Sequence, residues 1–397
     1  MSPSRWHDLL RDAEVPGERD AEQRARAVAK RAYAERQDVP RRSTGRRLLL
    51  VTIGALLLAL VLLSPAGAAI RDWVSDVVGP GQKNARPNLR ALPAPGKLLV
   101  DSEQGPWVVQ SDGTQRLLGS YDAASWSPHG VYVVAARGPR LVTLEADGAP
   151  RWALTAPGEV TSPTWQAPDG FRIAYRSGTS LRVVAGDGTG DRQLEAAVAP
   201  VAPAWRPGAR HILAFVDRAG AVRVEDTDTG RRLTSLALPL PHGLAWSPSG
   251  DELALATGSA VAVVRPFARA AEVRIAQARP NSTVGEVAFS PSGDRLAFIR
   301  SSQQGGASAS DLVLGQTGPR AISQRTLFSV PGHLTDPTWS PDGRWLLVGW
   351  READQWLFID TREPSKVIAI TNIDRQFDPG ATGTGAFPRI SGWCCAR

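Results

Sequence analysis

Thr338-Trp339-Ser340-Pro341-Asp342-Gly343, running directly into Arg344-Trp345-Leu346-Leu347-Val348, reads as an aromatic, a tight turn and a β-rich apolar run. Pro341 presets φ at the first central turn position, Asp342 is short and polar, and Gly343 accepts the positive φ that closes the hairpin. Two antiparallel strands joined at this turn are the smallest unit that the stretch implies.

The unit recurs upstream. Copies begin at Trp126 (WSPHG), Trp165 (WQAPDG), Trp205 (WRPGA), Trp246 (WSPSG), Phe289 (FSPSG) and Trp339 (WSPDG), at successive spacings of 39, 40, 41, 43 and 50 residues. A second strand is expected after each turn: Val131 to Ala135, Ile173 to Arg176, Ile212 to Val216, Leu253 to Ala256, Leu296 to Arg300 and Trp345 to Trp350. Third strands follow a polar break, as in Leu141 to Leu144, Leu181 to Ala185, Val222 to Glu225 and Trp356 to Asp360, and a fourth lies near Leu233. A period near forty with four antiparallel strands per repeat means the blades of a β-propeller, an all-β fold. The repeated aromatics are expected to fill the layers between blades.

The two ends of the repeat region set the blade count. Lys97 to Asp101, Trp107 to Gln110 and Gln115 to Leu118 supply three strands with no innermost strand before them. Phe387-Pro388-Arg389-Ile390-Ser391-Gly392-Trp393 supplies a lone innermost strand with its aromatic. Joined, they make a seventh blade and remove the open edge of the ring. Six blades is the alternative if the tail is irregular.

The WSPDG-type hairpins resemble those of the TolB-like, WD-repeat-like β-propellers over roughly residues 97–397. The likeness is strong at Trp339 to Gly343 and good at Trp126, Trp246 and Phe289. Trp165 has an extra residue before its Pro-Asp-Gly, and Trp205 is followed by Arg206-Pro207-Gly208 without an acidic residue. The resemblance implies a propeller in which the motif ends the innermost strand of a blade and opens the next.

Before the propeller the chain changes character twice. Residues 1–47 hold 12 Arg and Lys against 8 Asp and Glu, leaving 34 against 31 for the rest, so much of the net charge of +7 is concentrated there. Ala21, Ala25, Val28 and Ala32 recur at helical spacing within that segment. Residues 48–70 carry no charge, and 23 helical residues at 1.5 Å each span a bilayer core of ~30 Å. Arg41, Arg42, Arg46 and Arg47 precede the run, and only Arg71 and Asp72, of opposite sign, follow it directly. The positive-inside rule then predicts a single-pass signal anchor in the plasma membrane, N-terminus cytoplasmic and propeller extracytoplasmic. Ala66-Gly67-Ala68 resembles a signal-peptidase site, but the segment before the apolar run is far longer than an ordinary n-region. Residues 71–96, rich in Pro, Gly, Asn and Arg between Gly79 and Gly96, read as a linker.

Catalytic signatures are missing: there is no GxSxG elbow, HExxH pair or Walker-type loop, and no cofactor or metal is expected. Asp226-Thr227-Asp228-Thr229-Gly230 lacks the full spacing of a calcium loop and reads as a turn. Cys394 and Cys395 are the only cysteines; a bond between them would staple no two elements together. His242, His333, Asp336, Ser162 and Thr164 precede the blade aromatics, where loops leading into the innermost strands could line one mouth of the channel. The leading expectation is a non-enzymatic module for an extracytoplasmic protein, peptide or glycan, with a possible relay to a cytoplasmic regulatory protein. Nucleic acid is not expected, since topology accounts for the basic segment. The alternative is an envelope hydrolase or lyase with its site at the channel mouth, which predicts converging carboxylates, His or Arg there.

Overall fold

The computed structural model describes residues 88–395, apart from 167, 169, 209, 237–239, 269–272, 305, 319–320 and 381–385. The basic segment, the proposed anchor and most of the linker fall outside the described residues. Among those described, no helix is long and apolar enough to cross a membrane.

Among the described residues, twenty-eight strands form seven four-stranded antiparallel sheets. The split blade holds β1 (Lys97–Ser102), β2 (Gly105–Val109) and β3 (Gln115–Leu117); the second holds β4 (Ala123–Trp126), β5 (Tyr132–Arg137), β6 (Arg140–Glu145) and β7 (Pro150–Thr155). The third holds β8 (Val160–Trp165), β9 (Arg172–Ser177), β10 (Ser180–Ala185) and β11 (Arg192–Glu195), and the fourth β12 (Ala204–Trp205), β13 (Ile212–Val216), β14 (Val222–Asp226) and β15 (Arg231–Leu236). The fifth holds β16 (Gly243–Trp246), β17 (Leu253–Ala256), β18 (Ala260–Val264) and β19 (Val273–Gln277). The sixth holds β20 (Ser282–Phe289), β21 (Arg295–Gln304), β22 (Ala307–Thr317) and β23 (Ile322–Pro331). The seventh holds β24 (Leu334–Trp339), β25 (Trp345–Trp350), β26 (Gln355–Asp360) and β27 (Val367–Thr371). A short helix, α1 (Ile373–Phe377), follows, and β28 (Arg389–Cys394) returns to pair with β1.

The C-terminal strand therefore closes the ring as expected. Leu98 pairs with Trp393 and Asp101 with Arg389, across a bulge between Leu99 and Val100. Closure is reinforced by a segment that the sequence assigns to the linker. Leu89, Leu92 and Ala94 are buried with Trp356, Phe358, Phe377 and Trp393, and Leu92 N donates to Ser111 O at 2.9 Å. The helix α1, which periodicity does not announce, drives Phe377 against Trp356 and Trp107 in the same layer.

The recurrent turn works through its serine. Ser340 Oγ accepts Trp345 N at 2.9 Å, Ser340 O accepts Gly343 N at 2.8 Å, and Gly343 has φ +67°. Ser127, Ser247 and Ser290 accept the backbone N–H five residues on in the same way. Gln166 replaces serine in the third blade and reaches across to Gly208 O, Arg210 O and the His211 ring instead. All these turns lie on one face of the ring, hereafter the turn face.

The aromatics pack between blades, and the tryptophans also bond across them. Trp205 Nε1 donates to Thr164 O at 2.9 Å, Trp246 Nε1 to Ala204 O at 3.0 Å and Trp339 Nε1 to Ala288 O at 3.1 Å. Each acceptor is the residue just before the aromatic of the previous blade. Phe289 has no N–H to give, and the Nε1 atoms of Trp126 and Trp165 are buried without a partner.

The 50-residue step before Trp339 has a simple cause. β21, expected as Leu296 to Arg300, runs on to Gln304, and β22 and β23 lengthen with it, so the sixth blade extends past its neighbours. Strand ends elsewhere shift by a residue or two from the expected positions, as at β5 and β9.

Candidate functional site

Innermost strands β20, β24 and β28 are neighbours around the channel, and each carries a charged residue ahead of its aromatic. Glu286 and Asp336 both stand three residues before their blade aromatic, Phe289 and Trp339, where the ladder to the next strand bulges. The bulge at Asp336 gives it φ +52°, a conformation that Asp tolerates better than most residues. Its amide then points across the seam and donates to Glu286 Oε2. Arg389, the first residue of β28, brings Nε to 3.5 Å from Asp336 Oδ1. Asp101, paired in register with Arg389, accepts Ser391 Oγ at 2.6 Å and Ala124 N at 3.4 Å through Oδ2. Residues from the sixth, seventh, split and second blades thus meet at the mouth opposite the turn face.

Crowding on this concave wall changes the acids. Burial pushes the Asp101 carboxyl up to about 6, against the lowering effect of Ser391 and the Ala124 N–H. Glu286 is open to the channel, yet desolvation by the surrounding wall and the Asp336 charge push its carboxyl up to about 7. Asp336 is also raised, by burial first, with Arg389 opposing. The Asp336 charge and the loss of solvent both disfavour ionisation of Glu286 beside it.

Of the residues singled out by sequence, Asp336 alone joins this cluster. Ser162 occupies the matching position of β8 with φ +51°, and Thr164 Oγ1 donates to its carbonyl at 3.3 Å, but the pair lies in the third blade, away from the acids. Thr164 O accepts the Trp205 indole, so its backbone serves packing. His333 is exposed and bound to Glu352, with Nδ1 2.6 Å from Oε1 and its N–H donated to Oε2 at 2.7 Å. His242 is exposed, its backbone N bonded to Ala256 O at 2.7 Å. Glu286, Arg389 and Asp101 were missed. The place three before the aromatic was the readable signal for Glu286; the other two meet only because β28 closes on β1.

Two other polar features are made of groups that pair with one another. A cleft of 520 Å³ between the fifth and sixth blades is lined by Ser249, Ser292, Glu252, Arg265 and Arg274, and both arginines pair with Glu252. Asp226 Oδ1 accepts the N–H groups of Asp228 and Thr229, the turn expected there. Among the described residues no group of three or more His, Cys, Asp or Glu is placed to hold a metal ion. The sulfurs of Cys394 and Cys395 are bonded to each other at the end of β28, beside Gly130.

No protein-family model and no curated protein matches the chain. Among solved structures it is similar to a hydrazine synthase chain from Kuenenia stuttgartiensis, with 15% identity over 60% of this chain and 75% of that one and a TM-score of 0.51. It is also similar to the β-propeller domain of Cps50 (Swd1) from Myceliophteria thermophila, with 15% identity over 70% and 96% of the two chains and a TM-score of 0.49. At such identity the likeness speaks to fold alone, and the chain is a seven-bladed β-propeller of four-stranded blades.

Proposed function

We propose that the protein is a membrane-anchored, extracytoplasmic binding module whose propeller engages a protein, peptide or glycan at the acidic mouth. The observation that carries this reading is the meeting of Glu286, Asp336, Asp101 and Arg389 at one opening, while the repeated aromatics and turn serines are taken up by packing. The charge-free run 48–70 behind four arginines supports a single-pass signal anchor, with residues 1–47 in the cytoplasm for a regulatory partner such as a sigma factor. The resemblance of the hairpins to TolB-like, WD-repeat-like propellers agrees with a place in the bacterial cell envelope. The test is capture from membranes, crosslinked separately on each side and then solubilised in detergent. An extracytoplasmic partner should be captured by the wild-type chain and lost from the Glu286→Gln, Asp336→Asn double variant. Capture from the cytoplasmic side alone, or equal capture by both chains, would contradict the reading.

A second reading, an envelope hydrolase or lyase, is favoured by one observation. A carboxyl raised to about 7, as at Glu286, can give or take a proton at neutral pH beside Asp336.

A further inference from the structure

Asp336 is the pivot of the mouth. Its side chain is 6% exposed; the Ile390 N–H and the Thr335 hydroxyl both act on its carboxyl and lower it, while Oδ2 keeps no well-formed hydrogen bond. Oδ1 of Asp101 is a second buried carboxylate oxygen without a donor. Buried acceptors are normally satisfied, so two carboxylate oxygens left without donors beside one opening leave room for a donor from outside. The charged groups acting on these acids are Glu286 from β20, Asp336 from β24, Arg389 from β28 and Asp101 from β1. Three carboxyls against one guanidinium leave the opening acidic when all are ionised.

Arg389 is held loosely. Its side chain is 76% exposed and meets Asp336 through a single 3.5 Å contact, where a guanidinium seated on a carboxylate commonly makes two parallel bonds. The mouth is therefore more acidic and richer in acceptors than its own arginine can use.

We infer that the mouth binds a basic group, the guanidinium of an arginine side chain on a peptide, and that Arg389 occupies part of this place until the ligand displaces it. The inference rests on reading the mouth as the binding site. Arg389 is then an internal competitor, and its removal strengthens binding, the opposite of what a contact residue does. A self-occupied site lowers apparent affinity by the fraction of time it is free, so an arginine seated there about nine-tenths of the time would weaken binding about tenfold.

The probe is a fluorescent Gly-Arg-Gly-Arg-Gly peptide titrated into the full chain in detergent, with citrulline and glutamate peptides beside it. At pH 8 the arginine peptide should bind at least about tenfold more tightly than the citrulline peptide, which keeps the shape and loses the charge. Arg389→Gln should tighten binding about tenfold, and Asp336→Asn should abolish it. Asn accepts the positive φ at 336, and a thermal melt checks the fold. Should that variant unfold, Glu286→Gln on the open channel wall takes its place. Equal binding of citrulline or glutamate peptides, weaker binding by Arg389→Gln, or no binding of any peptide would overturn the inference. The binding-site reading itself is decided separately, by whether the double variant loses its crosslinked partner.

Discussion

Asp101 and Glu286 hold their protons more tightly in the folded chain than when unfolded, with carboxyls raised from 3.8 to about 6 and from 4.5 to about 7. The folded state therefore binds more protons between about pH 4 and 7, and stability from these groups is present at low pH and lost as pH rises through 6 and 7. Asp101→Asn should gain on the wild type by roughly 1–2 kcal/mol between pH 5 and pH 8, the rest of the effect falling below pH 5. Glu286→Gln should shift the same way by less, since its side chain is open to the channel water. Urea unfolding at both pH values measures this; a variant no more stable at pH 8 than at pH 5, relative to wild type, would remove the case for crowded acids. At this scale sequence reading found Asp336 and not its partners. A single residue ahead of an aromatic shows its chemistry, but not which distant strand end it will face.

Between elements, the aromatic of the motif does two jobs that look identical in the sequence. Trp246 packs and donates its indole N–H to Ala204 O, whereas Trp165 packs with its Nε1 buried and unpaired. Both changes to Phe lose buried ring volume, and Trp246→Phe should cost about 1 kcal/mol more than Trp165→Phe for the lost bond and the carbonyl left behind. Denaturant midpoints at unchanged slope separate the two. Equal losses would mean that the seam depends on ring volume alone. The strands themselves were legible because turn chemistry and apolar runs are local. The Ser-Pro-x-Gly turn fixes where one strand stops, and Leu346 to Val348 can only be buried. The long hairpin of β21 and β22 was not legible, since its outer half, Ser301 to Ala309, is polar and reads as loop. The packing of Leu89 and Leu92 was hidden for the same reason in reverse, two isolated apolar residues in a Pro- and Gly-rich stretch.

For the whole molecule, ring closure and candidate site are one event. β28 locks onto β1, and the same pairing sets Arg389 opposite Asp101 and within reach of Asp336, joining residues nearly three hundred positions apart. The seventh blade could be inferred by counting strands, because an open ring leaves an unpaired edge. The chemistry it assembles could not, because it depends on how the first and last strands register. The acidic mouth, and not the turn face, is then the surface that meets the partner. The direct measurement places a photo-crosslinking amino acid at position 389 in one chain and at Val131, 53% exposed on the turn face, in another. An extracytoplasmic adduct is expected from position 389 and none from 131. An adduct from 131 with none from 389 would contradict it.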